Sequence, residues 1–112
     1  MPRNYTILGQ RNPSANVLTT LYTVPSGNSA ILSSISIANL NEDLTSGSAF
    51  RLSVNTSSAA VSNASYLAYG LNVPGRDMIT MSLGITLNAG SIVSVNANSS
   101  LLAFSVFGTE VY

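Results

Sequence analysis

The stretch Ser82–Ser100, SLGITLNAGSIVSVNANSS, sets the terms for the whole chain. Apolar residues come in twos and threes between Ser, Thr, Asn and Gly, with no charge among them. No window places apolar residues at the i, i+3, i+4, i+7 spacing of an amphipathic helix among good helix formers. β-Branched residues and Ser dominate instead, and short apolar runs bounded by Gly, Pro, Asn or Ser read as strands. The runs are Asn4–Gly9, Val17–Val24, Ser29–Asn39, Ser48–Thr56, Ala64–Tyr69, Met78–Leu83, Ser91–Ala97 and Leu101–Phe107, with Gly108–Tyr112 able to extend the last.

Turn chemistry punctuates these runs at Asn12-Pro13-Ser14, Pro25-Ser26-Gly27-Asn28, Asn72-Val73-Pro74-Gly75-Arg76-Asp77 and Leu87-Asn88-Ala89-Gly90. The turn at Pro25–Asn28 suits type II or a related type and predicts a β-hairpin over Val17–Asn39. Asn98-Ser99-Ser100 predicts a second hairpin, joining Ser91–Ala97 to Leu101–Phe107. Strict alternation puts Ile31, Ser33, Ile35 and Ile37 on one face. It also puts Phe50, Leu52 and Val54 inward, with Arg51, Ser53 and Asn55 outward, and sets Tyr66 and Ala68 opposite Leu67 and Tyr69.

With no long helix to cover them, the strands must bury their apolar faces on one another. The expected fold is all-β: a single small antiparallel β-sandwich, jelly-roll-like, of about eight strands. The length of 112 residues fits one domain over 1–112, with 1–16 an N-terminal arm and 108–112 a C-terminal arm. A domain of this size buries roughly 65% of its unfolded surface, enough for one core without a metal or disulfides. Cys is absent, so there is no disulfide framework and no thiolate chemistry. The Cys…Trp…Cys spacing of immunoglobulin domains is missing, and no internal repeat is present.

Charged residues make up 7% of the chain, far below the usual figure of about 25%. The cations are Arg3, Arg11, Arg51 and Arg76; the anions are Glu42, Asp43, Asp77 and Glu110; the net charge is zero. Wettability comes from 19 Ser, 9 Thr and 12 Asn, a surface with little repulsion and little desolvation cost when covered. A soluble monomer normally keeps its net charge away from zero, so this balance points to a subunit of a larger assembly. Four scattered Arg cannot build the basic stripe that phosphate neutralisation needs, which argues against a nucleic-acid partner. No run approaches the ~18 apolar residues of a membrane span. Met1-Pro2-Arg3-Asn4 leads into Tyr5-Thr6-Ile7-Leu8 without a signal-peptide core, which favours a cytoplasmic origin.

Without His, acid–base chemistry would fall to four carboxylates and five tyrosines. Glu42 and Asp43 are adjacent in a loop, where neighbours point apart, and read as solvated charges. Asn41-Glu42-Asp43 lacks the alternating oxygen ligands and distal Glu of a calcium loop. There is no G-x-S-x-G, no P-loop and no G-x-G-x-x-G. The sequons at Asn4, Asn55, Asn63 and Asn98 are what chance gives in an Asn/Ser-rich chain. Catalytic, cofactor-binding and metal residues are therefore expected to be none, and so is any cofactor. Arg51, on an outward strand face, and Arg76 with Asp77, beside Pro74-Gly75, are candidate subunit-interface residues. Tyr5 and Tyr112, near the ends, are candidates as anchors on neighbouring subunits. Tyr22, Tyr66 and Tyr69 read as residues closing the rim of the core, hydroxyls in water; Tyr66 and Tyr69 with nearby Asn could alternatively form a sugar-binding face.

Five segments carry a family resemblance: LYTVPSGNSAILSSISIANL (Leu21–Leu40), FRLSV (Phe50–Val54), YLAYGLNVPGRD (Tyr66–Asp77), MSLGITLNAGSIVSVNANSS (Met81–Ser100) and LLAFSVFGTEV (Leu101–Val111). Together they resemble short virion structural proteins of tailed bacteriophages, frequent among cyanobacterial and other aquatic phages. The shared pattern is a YTVP-[AS]-G turn, an [FY]-R strand, LGITL-x-A-G-x-V and a final F-x-x-F-G-[ST]-E. The match runs from about Leu21 to Glu110 and departs at Ser91, where the pattern commonly has Asp. The resemblance implies a non-enzymatic β-sandwich subunit of a phage virion, assembled in the host bacterial cytoplasm. Its leading form is a capsid decoration (cement) protein, a dimer or trimer that bridges major capsid proteins. The alternatives are a neck, tail or fibre subunit and, from a different class, a carbohydrate-binding β-sandwich module.

Overall fold

The computed structural model describes residues 3–43, 47–56 and 65–111, with side chains from residue 6 onward. Eight strands account for most of them: β1 (Arg3–Arg11), β2 (Thr19–Thr23), β3 (Ser29–Asn39), β4 (Ser48–Asn55), β5 (Tyr66–Val73), β6 (Met78–Leu87), β7 (Ile92–Ala97) and β8 (Leu102–Val111). They form two four-stranded antiparallel sheets, β1-β8-β3-β6 (sheet A) and β2-β7-β4-β5 (sheet B). Pairing β1 with β8, β2 with β7, β3 with β6 and β4 with β5 amounts to one long hairpin folded over on itself, which is the jelly-roll order. No helix among the described residues is long and apolar enough to cross a membrane.

Neither expected hairpin forms: β2 and β3 lie in different sheets, and so do β7 and β8. The turns explain the first. Asn28 N–H donates to Pro25 C=O (3.2 Å) and Ser91 N–H to Asn88 C=O (3.1 Å). The third residue of each turn, Gly27 and Gly90, takes a positive φ of 83°. A positive φ at the third position alone is the type II pattern, which splays the flanking strands, whereas two-residue hairpins favour the primed types. Asp77 N–H to Pro74 C=O repeats the geometry with Arg76 at φ 60°. All three turns carry the chain from one sheet to the other. Two of them brace each other, because Val24 exchanges backbone hydrogen bonds of 2.9 Å with Gly90 and Ser91. The β7–β8 connection is held by Asn12 Nδ2, which donates to the carbonyls of Ser100 and Leu102.

The inner faces interdigitate in one apolar core. Leu32, Ile35 and Ile37 of β3 and Leu102, Phe104 and Val106 of β8 meet Phe50 and Leu52 of β4 and Val93 and Val95 of β7, all essentially fully buried. Phe50 and Phe104 pack edge to face across the sheets, centroids 5.7 Å apart and planes at 71°. Strict alternation fails in β3. A bulge at Ser33 shifts the pairing with β8, so Leu32 and Ile35 both point inward, while Ile31 and Ser33 leave the face shared by Ile35 and Ile37.

Two polar links tie the sheets together at opposite edges. Buried Asn39 on β3 donates through Nδ2 to the Val73 carbonyl of β5 (2.8 Å). On the other side the Tyr22 hydroxyl of β2 donates to Glu110 Oε2 of β8; the phenol expected in water is buried and paired. Of the stretch 1–16, Arg3–Arg11 lies in sheet A against β8, and of 108–112 the residues to Val111 continue β8.

Gly108 lies where a Cβ would sit inside the van der Waals radius of the Ile31 carbonyl oxygen, a backbone atom that cannot swing away. Gly108→Ala is expected to lose at least about 1–3 kcal/mol of stability, read as a lower urea midpoint at unchanged slope. Burial first, then the hydrogen bond and charge of Glu110, push the Tyr22 phenol well above its ordinary 10.0. The folded state therefore holds this proton after the unfolded chain has released it. Stability is full below pH 10 and falls as pH climbs beyond it. Tyr22→Phe should flatten that alkaline decline by up to ~1.4 kcal/mol per pH unit, measured by denaturant titrations at stepped pH.

Candidate functional site

The outer face of sheet B carries the densest group of functional side chains. Register assigns its members, because residues paired across antiparallel strands share a face. Arg51 of β4 lies between Asn96 of β7 and Tyr69 of β5, and Ser53 lies between Ser94 and Tyr66. Phe50 and Leu52 alternate with them toward the core.

Tyr66 and Tyr69 are three residues apart and would sit on opposite faces of a regular strand, as alternation predicts. They share one face here because β5 bulges: Arg51, Leu52 and Ser53 oppose Tyr69, Ala68 and Tyr66, which leaves Leu67 unmatched. A second bulge falls at Gly70, whose φ of 77° strongly favours glycine. The rings of Tyr66 and Tyr69 meet edge to face, centroids 4.9 Å apart at 82°. The Arg51 guanidinium lies over the Tyr69 ring, 4.1 Å from its centroid. Arg51 is the sole charge on this face among the described strand residues.

Beside this stack lies a hollow of about 350 Å³. Arg51, Asn96, Asn98, Asn16 and Gly70 contribute to its lining. Asn16 takes φ 61° and donates its backbone N–H to Ala97 C=O (2.7 Å), which fixes the loop before β2 at the rim. Asn98 is held by a pair of 3.0 Å bonds with Ala49, accepting from its N–H through Oδ1 and donating its own N–H to its carbonyl. The amides of Asn16 and Asn96 make no hydrogen bond to other described residues. Amides, a cation and aromatic faces can bind and orient a polar molecule. They supply no nucleophile–base pair.

The candidate interface residues are dispersed. Arg51 belongs to the stack. Arg76 and Asp77 lie at the β5–β6 turn, Arg76 exposed and without an ion pair among the described residues, Asp77 accepting the Met78 N–H at 2.7 Å. Tyr5 lies on β1, paired through its backbone with Thr109, at the opposite side of the sandwich, and Tyr112 lies outside the described residues. Glu42 and Asp43 are exposed; the Asp43 N–H donates to Asn41 Oδ1 at 2.9 Å, an Asx turn. Among the described residues no three His, Cys, Asp or Glu side chains gather as a metal site. Asn16, Asn96 and Gly70 were not singled out from the sequence. The one available signal was the glycine after Tyr69, since a glycine inside a strand often marks a bulge.

Fold and site together define a small all-β sandwich with a cationic-aromatic patch on one sheet. In sequence, the chain matches no family model and no curated protein. In structure, it is similar to two crystal structures, each of a pentameric capsid protein isolated from metagenomic phage sequences. The first shares 20% identity over 94% of this chain and 61% of its own, with a TM-score of 0.36. The second, solved by iodide SAD phasing, shares 18% over 94% and 63%, with a TM-score of 0.33. The chain thus spans somewhat over three-fifths of either, and likeness of this degree does not carry a function from one protein to another.

Tyr69 is 59% exposed, so its stack with Arg51 should matter little to folding. Tyr69→Ala is expected to cost no more than about 1 kcal/mol, by chemical denaturation; a larger loss would make the ring part of the core.

Proposed function

We propose that this chain is a non-enzymatic structural subunit of a phage virion: a capsid decoration protein that self-associates and bridges major capsid proteins on the head. The observation that carries the reading is the outer face of sheet A. Across its middle, the paired residues are Ser36 with Thr80 and Ser105, Ser34 with Ser82 and Phe107, and Ala38 with Ala103. None is charged. The face ends in β6, an edge strand of ten residues with neither charge nor proline. Long edges on solitary proteins are normally guarded by Lys, Pro or inward-pointing charge. A bulge at Leu83–Gly84 interrupts this edge, and the stretch Met78–Ser82 beside the hydroxyl-rich face costs little to cover and offers backbone groups to a neighbour. The sequence resemblance to phage virion proteins supplies the kind of assembly.

The mechanism is passive. A rigid sandwich makes several modest contacts with the capsid lattice and with its own copies, and these add through multivalency. Three measurements test it. Particles without the protein should release their genome at lower temperature or milder osmotic shock, and adding the protein back should restore them; equal robustness would overturn the cementing role. On the order of hundreds of copies per particle fits a head location, whereas about a dozen or fewer would place it at the neck, tail or fibres. Ser82→Lys puts a charge on the exposed edge strand and should abolish incorporation while leaving the melting temperature nearly unchanged.

A further inference from the structure

We propose that the outer face of sheet B is a binding site for an acidic saccharide, a hydroxyl-rich ring bearing a carboxylate such as a uronic acid. The site would act whether or not the chain is a particle subunit.

Three features point to this ligand. The first is the stack itself. Tyr69 exposes more than half of its surface, and Tyr66 buttresses it edge to face. Arg51 covers one face of the Tyr69 ring; the aromatic surface still exposed accepts the C–H side of a pyranose. The second is the hollow beside it. Its volume of about 350 Å³ lies within the range of small-ligand sites, roughly 300–1,000 Å³. Asn16 and Asn96 bring amide groups with unused donors and acceptors, suited to vicinal hydroxyls. Gly70 adds no side chain at the rim, where a Cβ would meet only open space.

The third is Arg51, which decides between neutral and acidic sugars. Stacking on Tyr69 holds the guanidinium plane in place, and the planar fork of N–H donors matches a carboxylate in bidentate fashion. No carboxylate among the described strand residues of this face competes for it. A single-stranded nucleic acid would also stack on tyrosine, but one cation neutralises too little phosphate.

The double bulge of β5 gives the site its shape. It brings Tyr66 and Tyr69 to one side at the cost of two irregular pairings, a device that occurs on edge strands and beside binding sites alike.

The test uses the full chain with oligogalacturonate as the acidic probe and maltohexaose as the neutral one, titrated by NMR and calorimetry. Oligogalacturonate should bind, shift the amides of Arg51, Tyr69, Gly70 and Asn96, and weaken with added salt. Arg51→Met and Tyr69→Ala should each reduce affinity at least roughly tenfold while lowering the melting temperature by no more than about 5 °C. Arg51→Lys, which keeps the charge and loses the fork, should fall between wild type and Arg51→Met. No binding of oligogalacturonate at about 10 mM, equal binding of maltohexaose, shifts confined to sheet A, or indifference to both variants would each overturn the proposal. Neither result bears on incorporation into particles, so this site and the structural role fail separately.

Discussion

Two sheets that can hide their apolar sides only against each other are the constraint from which the rest of the molecule follows. Disulfides are ruled out by composition, and among the described residues no α-helix lies over either sheet. The edge-to-face contact of Phe50 with Phe104 sits where the two inner faces meet. Around it the connections must deliver strands alternately to one layer and the other. Only β4 and β5 are neighbours both in sequence and within a sheet. The crossing turns are correspondingly specialised: Gly27 and Gly90 supply the left-handed backbone that sends the chain across the sandwich. Tyr22 with Glu110 and Asn39 with the Val73 carbonyl then fasten the two long sides.

The two outer faces divide the remaining surface into different kinds. Sheet A presents hydroxyls and methyls beside an edge strand without charge or proline, which suits broad, shape-driven contact. Sheet B sets an arginine and several amides around one hollow, with two stacked tyrosines next to that arginine, which suits recognition of something small and polar. This division explains how a protein with so few charges can place one of them with effect: Arg51 has an aromatic ring beneath it and no rival anion among the described strand residues of its face.

Strand positions were legible because glycine, proline and asparagine interrupt the apolar runs at nearly every connection, and the expected Ser29–Asn39 coincides with β3. Layer assignment was less so. A Pro-Ser-Gly-Asn turn announces reversal, but whether the arms stay side by side depends on which central residue is left-handed, and on where the long-range partners lie. Bulges were the other blind spot. Ser33 switches the phase of β3, and Leu67 with Gly70 re-aims Tyr66 and Tyr69 on β5. A period-two pattern contains no mark for an inserted residue unless a glycine is taken as one. The absence of His and Cys was plain from the start; the assembly of Arg51, Tyr69 and Asn96 needed the register.

The pairing of β1 with β8 has a consequence for the protein's birth. During synthesis the first strand leaves the ribosome with no hydrogen-bonding partner, and β3 likewise waits for β6 and β8. Sheet A can zip up only once β8 has been synthesised, which makes folding slow for the length, as remote pairings generally are. Until then the bare edge strands are open to misassociation. A nascent chain of this kind gains most from a chaperone that shelters it until β8 is available to pair.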